Sequence, residues 1–503
     1  MSDMILDLLF NIQEEPNQIS STAYDTAWLA WLNPEARQWL VEAQHPDGSW
    51  GADLEYYHDR VISTLSAINA IAATSTNKYD LAKIERGIAY LKKAIPQISC
   101  DIYETVGFEL LLPSLVTISE SLGLHVQEIK AITRLNDVMY RQKLRLIPTD
   151  TIYSPDVVVA HSLEFIGFND LDYSAVANLR TTNGSIHDSP SATAFVEVAL
   201  GGSEGGKTYL DNLLKKYNNT APGFFPFDFY EIIWVLYHVS LAYDLKSLRP
   251  TIDPFLHRLR SAWHENGIGF SPTFVSDPDN TALMLRIFNE LDLYCDFSAL
   301  QSYELDDHFQ CFPLERDVSM DVHIHIITAL ENATGFERRD DLLSKAINTL
   351  RRHWTLDYIF DKWHVSPYYS TSHAVIALTG VADDIVGRPI RWLLKTQRED
   401  GSWTFYPNCP GAAIEETAYT LMALMTVYER NGMIPLEVID KGIRYLESHY
   451  QGAKGLPGLW IHKALYTPYH IVDAVILSTL TKYHYLNHAA TSIKISVPTS
   501  VML

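Results

Sequence analysis

The sequence predicts an all-α protein built from stacked antiparallel helices. Apolar residues recur at three-four spacing in many separate segments, which is typical of helices with one buried face. Clusters of proline, glycine and aspartate separate these segments, and no series of alternating polar and apolar residues indicates a sheet. The clearest helical segments are 61–73, 84–94, 229–243, 322–331 and 418–428.

A short motif occurs twice, as QHPDGSW at residues 44–50 and as QREDGSW at residues 397–403. In each copy Asp-Gly favours a tight turn, and the Gln and Trp side chains can bond to and cover a helix end. Two copies so far apart indicate one repeated helical architecture used twice. The chain has 503 residues, which is beyond the size at which a single core stops growing, so two domains are expected.

Composition narrows the class of protein. The formal net charge is -22, which argues against nucleic acid and against an anionic membrane surface as partners. The four cysteines are scattered and are predicted to be free thiols in a reducing compartment, without a zinc site. Residues 1–17 lack the basic start of a signal peptide, and no apolar run is long enough to span a membrane. We therefore expect a cytoplasmic protein, whose oligomeric state the sequence does not give.

Residues 277–282 (DPDNTA) place two carboxyl groups directly before an apolar helical segment. One interpretation is a helix start, because Asp277 suits the N-cap and Pro278 the first helical position. The other is a catalytic acid. Two carboxyl groups close together in a dry cavity cannot both be charged cheaply, so one keeps its proton, and such a neutral acid could protonate an alkene. The residues alone leave both interpretations open.

The same residues resemble the D-x-D-D-T-A signature of class II terpene cyclases. In that family the middle Asp is the general acid, which implies this role for Asp279, with Asp277 and Asn280 beside it. The chain departs from the signature at Asn280, whose amide keeps its hydrogen-bonding capacity but has no acidic proton. Further segments that resemble the family are 20–28 (SSTAYDTAW), 143–148 (KLRLIP), 161–164 (HSLE), 189–194 (SPSATA) and the two tryptophan motifs.

The resemblance implies two α/α toroids of the βγ type, one inserted after the first helix of the other. On that model residues 1–17 form the first helix of the main (β) domain, 18–215 the inserted (γ) domain and 216–503 the rest of the main domain. The implied reaction starts with protonation of a linear isoprenoid diphosphate, geranylgeranyl diphosphate, and ends in a bicyclic product that keeps its diphosphate. No D-D-x-x-D metal motif is present, so ionisation of the diphosphate is not expected.

The resemblance also implies roles for single residues outside the acid motif. Lys143 matches a lysine that contacts the substrate diphosphate. His161 matches a histidine that, in plant copalyl-type relatives, works with an Asn to direct a water that removes the final proton. The Asn position falls at Gly223, so this pair is expected to be incomplete, and a core histidine is the alternative for His161. His323 lies where the family places a group bonded to the catalytic acid, with His325 close by.

The family binds Mg2+ through acidic residues that precede a G-F-E block, which implies Asp101, Glu104 and Glu109 as ligands here. Mg2+ prefers few carboxylates together with phosphate oxygens, although such acids are usually a solvated helix face. Aromatic blocks later in the chain resemble bacterial class II cyclases and are expected to wall a cavity around cationic intermediates. The predicted wall residues are Trp363, Tyr368, Tyr419, Trp460 and Tyr466.

Two alternative functions remain open at this stage. The same chemistry could act on farnesyl diphosphate or on a prenylated aromatic compound, which a panel of substrates of different chain length would separate. A helical toroid without catalytic activity could instead bind prenyl groups. Such a protein would bind a prenyl diphosphate without turnover, and Asp279→Ala would not change this.

Overall fold

The computed structural model describes residues 2–75, 78–126, 140–315 and 317–495, and within them the regular secondary structure is almost entirely helical. The α-helices are Ser2–Glu14 (α1), Ala23–Leu29 (α2), Pro34–Glu42 (α3), Tyr57–Ala73 (α4), Lys78–Ala94 (α5), Phe108–Ser121 (α6), 140–146 (α7), Pro190–Leu200 (α8), Glu204–Lys216 (α9), Asp228–Ser240 (α10), Arg249–Ser261 (α11), Pro278–Glu290 (α12), Met320–Leu330 (α13), Arg339–His353 (α14), Pro367–Leu378 (α15), Asp383–Lys395 (α16), Ala412–Asn431 (α17), Leu436–His449 (α18) and Tyr469–Ile495 (α19). The other regular elements are the 3-10 segments Ile95–Cys100, Val158–Ile166, Val176–Leu179, Leu245–Leu248 and Phe297–Tyr303, and the strands Trp460–Ile461 (β1) and Leu465–Tyr466 (β2).

Six helices of the C-terminal part form a closed inner ring. Going round the ring, α10 contacts α12, and the contacts continue through α13, α15 and α17 to α19, which returns to α10. Helices α14, α16 and α18 pack outside α13, α15 and α17, and α1 packs outside α19. An inner and an outer layer of antiparallel helices that closes on itself is an α/α toroid, as the sequence predicts.

A second ring is formed by the N-terminal part of the chain. Helix α2 contacts α4, α4 contacts α6, and α6 contacts the 3-10 segment 158–166, which reaches α8; α8 then closes the ring on α2. Helices α3, α5 and α9 pack outside α2, α4 and α8. The protein therefore contains two α/α toroids, which confirms the predicted fold class.

The hydrophobic cores follow these two rings. Apolar residues of α1, among them Ile5 and Leu9, pack in one core with α10, α12, α17 and α19, whereas residues from Ala23 to Ala221 form another. Packing of α1 with the C-terminal ring supports the inserted arrangement. The boundaries 1–17, 18–215 and 216–503 stay a prediction, and α9 runs to Lys216 while the N-terminal core extends to Ala221. Within the described residues, no helix combines the length and the apolar character that crossing a membrane requires.

The two tryptophan motifs have matching geometry, one in each ring. The Trp50 indole donates to the carbonyl oxygen of Leu40 at 2.7 Å, and the Trp403 indole donates to that of Leu393 at 2.7 Å. The amide groups of Gln44 and Gln397 each donate to two backbone carbonyl groups. These bonds join an outer helix to the turn that follows it, so the role of the motif is structural.

The short hairpin of β1 and β2 links the rings. Its strands pair Trp460 with Tyr466 in the C-terminal ring, whereas Ala464 at its turn packs in the core of the N-terminal ring. The turn residues His462 and Lys463 therefore lie where the two rings meet.

Candidate active site

A cavity of about 320 Å³ lies between the two rings. The N-terminal ring contributes the loop 103–107, the start of α6, Lys143 and the 3-10 segment that carries His161. The C-terminal ring contributes the start of α12, side chains of α10 and α13, and the hairpin. Any molecule in this cavity would contact both toroids.

The acid motif is both a helix cap and part of the cavity wall. Asp277 is the N-cap of α12, where its carboxylate accepts from the backbone N–H of Asn280 at 2.8 Å, and Pro278 opens the helix. Asp279 follows in the first turn, buried but facing the cavity. The helix N-terminus stabilises a carboxylate in this turn. The two interpretations of the sequence are therefore compatible, because capping by Asp277 positions Asp279.

The Asp279 carboxyl group has two close neighbours. One of its oxygens, Oδ1, lies 2.6 Å from Nδ1 of the buried His325, and the other, Oδ2, lies 3.8 Å from the thiol sulfur of Cys311. An imidazole N–H directed at one oxygen leaves the other free to carry a proton toward the cavity. The same N–H would stabilise the carboxylate after that proton has left.

The predicted contact between His323 and Asp279 is wrong, because His325 makes it. His323 faces away, with Nδ1 at 2.7 Å from the Ser319 carbonyl oxygen and Nε2 accepting from the Phe309 backbone N–H. Side chains two residues apart on a helix point to nearly opposite sides, so an error of two positions at this site exchanges the acid's partner for a structural histidine.

The neighbouring carboxyl group of Asp277 is tuned by its surroundings. Burial and the nearby Asp279 raise the pKa of Asp277 to about 7. The side-chain amide of Asn280 donates to Asp277 at 2.8 Å. Asn280 therefore supports Asp277, and the acid that the family signature would place at this position is replaced by a fixed hydrogen-bond donor.

Asp321 is a further carboxyl group of the cavity wall, and the sequence analysis did not select it. It lies one turn before His325 on α13, is buried, and accepts no hydrogen bond from the described residues. Its neighbour Asp361 instead accepts from Ser319 and from the backbone N–H groups of Met320 and Asp321. Burial, followed by the charges of Asp361 and Asp279, holds the pKa of Asp321 well above its usual range. Of the buried pair, Asp321 is the one that stays protonated.

Aromatic rings form much of the remaining wall. Among the predicted substrate-binding residues, the cavity is lined by Lys143, His161, Trp363, Trp460 and Tyr466. Tyr368 and Tyr419 are outside this lining: the Tyr368 ring stacks on Trp392 at 4.6 Å, and Tyr419 packs against His373. Wall residues that the sequence analysis did not select are Phe224, Tyr230, Trp234, Phe270, Phe274 and Phe312. Nothing in their spacing separates them from core aromatic residues.

At the polar end of the cavity, Lys143 lies next to an acid in the first turn of α6. The Lys143 ammonium group lies 2.6 Å from a carboxylate oxygen of Glu109, and Glu104 lines the same cavity. The third predicted metal ligand, Asp101, is engaged elsewhere, because its carboxylate lies 2.8 Å from Nδ1 of His58. No group of three or more His, Cys, Asp or Glu side chains suited to a metal ion is found in the described ranges.

His161 has a partner, although the position expected to supply one is Gly223. Its Nε2 lies 2.9 Å from Nε2 of His462, and its Nδ1 lies 2.6 Å from the carbonyl oxygen of His187. A Cβ at position 223 would lie only 2.5 Å from Nδ1 of His462. The glycine thus leaves room for the His462 ring. Position 223 supplies no partner, as expected, and His161 pairs with His462 instead.

Two toroids with a carboxyl acid facing an aromatic cavity between them define a class II terpene cyclase. The chain is 32% identical over 493 residues to the type B diterpene cyclase of Mycobacterium tuberculosis, covering 92% of this chain and 96% of that protein. It is 27% identical over 515 residues to the ent-copalyl diphosphate synthase of a Streptomyces species, with 96% of both chains covered. This chain belongs to the class II diterpene cyclase family. No family model matches the chain.

Two solved structures resemble the fold. The ent-copalyl diphosphate synthase of Streptomyces platensis superposes with a TM-score of 0.76 at 24% identity, over 95% of this chain and 99% of that one. The Arabidopsis thaliana ent-copalyl diphosphate synthase, solved with (S)-15-aza-14,15-dihydrogeranylgeranyl thiolodiphosphate, gives a TM-score of 0.74 at 22% identity, over 98% of this chain and 66% of that one. Both likenesses agree with the two-toroid architecture.

Proposed function

We propose that this enzyme protonates geranylgeranyl diphosphate and cyclises it to a bicyclic diterpenyl diphosphate. The observation that carries the proposal is the position of the Asp279 carboxyl group. It faces an aromatic cavity, and its Oδ1 lies 2.6 Å from Nδ1 of His325. A protonated carboxyl group in such a site is a strong donor when its anion is stabilised. The names of the relatives support a twenty-carbon substrate, and they do not favour farnesyl diphosphate, a prenylated aromatic compound or a non-catalytic prenyl-binding toroid.

The reaction begins when Asp279 transfers its proton to the terminal alkene, leaving a carboxylate bonded to the His325 N–H. The resulting cation is attacked by the internal double bonds, which close the rings. Aromatic faces such as those of Trp234, Trp460 and Tyr466 stabilise the moving positive charge by roughly 2 kcal/mol or more each when desolvated. The apolar wall also keeps water away from the cations until the last step.

Lys143 would bind the diphosphate, which stays on the product. Glu109 lies beside it and Glu104 lines the same cavity. Both would suit Mg2+, which takes one or two carboxylates together with phosphate oxygens. When bound, the metal ion would neutralise diphosphate charge during binding. We do not assign Asp101 to this group, since its partner is His58. Placement in the cytoplasm stays a prediction that rests on the free cysteines.

The pair of His161 and His462 is our candidate for removing the last proton. Burial, together with Lys463 and His462, holds the pKa of His161 well below its usual range, so the ring is neutral. Because its Nδ1 must donate to the His187 carbonyl group, its Nε2 accepts the N–H of His462. Nδ1 of His462 then keeps its lone pair: the ring lines the cavity, and Nδ1 itself is buried against Gly223 with no hydrogen-bond partner among the described residues. A carbocation is so strong an acid that a weakly basic neutral imidazole suffices as its base.

The test is incubation with fifteen- and twenty-carbon prenyl diphosphates and Mg2+, followed by dephosphorylation and mass spectrometry. We expect a bicyclic product from the twenty-carbon substrate that becomes extractable only after phosphatase treatment. Asp279→Asn should bind the substrate but lose turnover by a factor of about 10² or more. Free hydrocarbon without phosphatase, or a retained rate in Asp279→Asn, would contradict the proposal.

A further inference from the structure

A buried glutamate lies directly behind the aromatic wall of the cavity. Glu415 on α17 is 1% exposed, and it is not among the described residues that line the cavity. Its Oε1 lies 2.9 Å from the indole nitrogen of Trp460, whose ring does line the cavity, and 3.3 Å from Nε2 of His364. The steps described so far assign no role to this carboxyl group.

The hydrogen bonds around Glu415 indicate that both neighbours donate to it. An indole nitrogen can only donate. Nδ1 of His364 accepts from the backbone N–H of Ser366 at 3.1 Å, so the proton of this neutral ring is on Nε2 and is directed at Glu415. Oε1 therefore accepts two N–H groups, which is the pattern of an ionised carboxylate, and neither donor carries a positive charge.

No Lys or Arg of the described chain forms an ion pair with this carboxylate. His364 is its one neighbour within ion-pairing distance among these residues, and Oε2 is buried there without a hydrogen-bond partner. Buried charges in native proteins are normally paired, and buried polar atoms rarely lack a partner. The cavity beyond Trp460 is where a positive charge would appear, because the proposed reaction forms carbocations in it.

Trp460 lies between the acid and the candidate base along the aromatic wall. On the acid side, the Trp234 ring centre lies 5.3 Å from that of Trp460 and 5.0 Å from that of His325, which bonds the acid. On the other side, the Tyr466 ring centre lies 6.3 Å from that of Trp460 and 6.5 Å from that of His462, the candidate base. A cation that forms at the acid and loses its last proton at the base therefore passes the Trp460 ring on the way.

A carboxylate behind this ring makes the cavity more favourable for a cation in two ways. The indole N–H that is bonded to a carboxylate leaves more electron density on the ring, which strengthens the attraction between its face and a cation. The charge of Glu415 also acts directly, because little water screens it in a buried site. Both effects are in place before the reaction starts and are weak toward the uncharged hydrocarbon part of the substrate, so they favour the cations over the bound substrate.

We infer that Glu415 is a positioning residue that acts through the Trp460 ring and stabilises the cation between the first protonation and the final deprotonation. No bond to Glu415 forms or breaks, and the positive charge leaves with the last proton. Without this stabilisation the cation would lose a proton or capture water before the second ring has closed. The inference rests on the proposed function, because it needs a carbocation that Asp279 has generated.

Glu415→Gln tests the charge, because it keeps the size of the side chain and an oxygen that can accept from Trp460. We expect kcat to fall about tenfold with little change in KM, since binding of the uncharged chain is not affected. Mass spectrometry after dephosphorylation should show a larger share of incompletely cyclised product. A structural role alone would raise KM or lower the yield without changing the product distribution.

Binding of two inhibitors measures the electrostatic effect directly. One is a prenyl diphosphate analogue that carries an ammonium group in place of a ring carbon, and the other is its neutral carbon counterpart. Glu415→Gln should weaken binding of the ammonium analogue about tenfold and leave the neutral analogue unchanged. Trp460→Phe, which keeps a ring but loses the N–H, should show the same selective loss. The double variant should lose no more than Trp460→Phe alone, because the two residues act as one unit.

Glu416→Gln is the matched control. This neighbour of Glu415 on α17 is equally buried, but it accepts from the Ser366 hydroxyl group and the Phe405 backbone N–H. It should leave the products and the ratio of the two inhibitor affinities unchanged. Equal losses for both analogues in Glu415→Gln, wild-type products from this variant, or additive losses in the double variant would overturn the inference. Retained turnover in Asp279→Asn would instead contradict the proposed function, so the two failures are distinguishable.

Discussion

Removal of the buried Lys463 ammonium group should strongly destabilise the protein. It lies at the turn of the β1–β2 hairpin, and its side chain is fully buried. Its ammonium group lies 2.8 Å from a carboxylate oxygen of Glu164 and donates to the His161 carbonyl oxygen at 2.6 Å. It also donates to the hydroxyl groups of Ser189 and Ser191, each at 2.8 Å. Every one of these partners belongs to the other toroid, so one side chain joins the two rings.

Lys463→Met keeps the length of the side chain and removes its charge. The Glu164 carboxylate is then left buried, and among the described residues the Tyr24 hydroxyl group, at 2.9 Å, is its remaining donor. Breaking a buried ion pair on one side costs about 3–5 kcal/mol, and we expect a loss of that size in the free energy of unfolding. The measurement is chemical denaturation followed by tryptophan fluorescence. Adding Glu164→Gln should recover much of the loss, because the uncompensated charge is then removed.

Lys246→Met is the matched control, since its partner Asp292 is mostly exposed and the ion pair is screened by solvent. It should leave the denaturation curve nearly unchanged. The reasoning about Lys463 is refuted if Lys463→Met loses less than about 1 kcal/mol, or if Glu164→Gln in the same chain adds to the loss.

Two further predictions concern the ends of the cavity. The pKa of Asp277 rises from 3.8 to about 7 on folding, so the folded state holds a proton that the unfolded state loses, and this group's contribution to stability falls as pH rises between these values. Between about pH 4 and about pH 8, the free energy of unfolding of Asp277→Asn should rise relative to that of the wild type by up to about 4 kcal/mol, as measured by denaturation at the two pH values. A difference between variant and wild type that does not change with pH would contradict this. At the other end, His462→Ala should give more hydroxylated product, measured by mass spectrometry after dephosphorylation. Gly223→Asn alone should lose turnover, because the new side chain collides with His462, whereas the double variant Gly223→Asn/His462→Ala should retain it. If His462→Ala makes the same products as the wild type, His161 and His462 do not remove the last proton.

The sequence predicted the class of fold because helices leave a local signal. Apolar spacing and turn residues mark each helix, and the bounds of α1 and α12 follow from Pro16 and from the cap at Asp277. Closure of the rings leaves no such signal. Inner helices such as α10 and α17 are buried on nearly all sides, so their periodicity does not reveal which face contacts which neighbour.

In the candidate site, too, contacts between distant parts of the chain leave no local signal in the sequence. Tyr24 and residues 161–164 and 189–191 belong to segments that were selected separately, and the structure brings them together around the buried Lys463, which was not selected. Contacts between residues up to about three hundred positions apart depend on how the toroids dock. His325 and His462 were missed for the same reason, because a partner across two helices or two domains has no fixed spacing in sequence.

The two proton-transfer sites differ in how many toroids build them. The Asp279 carboxyl group, His325 and the helices that hold them belong to the C-terminal ring alone. The pair of His161 and His462 needs both rings, because His161 comes from the N-terminal ring and His462 from the hairpin that crosses to it. On our proposal, initiation is then a property of one toroid, whereas the position of the final base depends on how the two toroids dock. A small shift at this interface moves the base relative to the last cation while leaving Asp279 in place. Variation at the interface is therefore a route to new products that leaves the first, slow protonation intact.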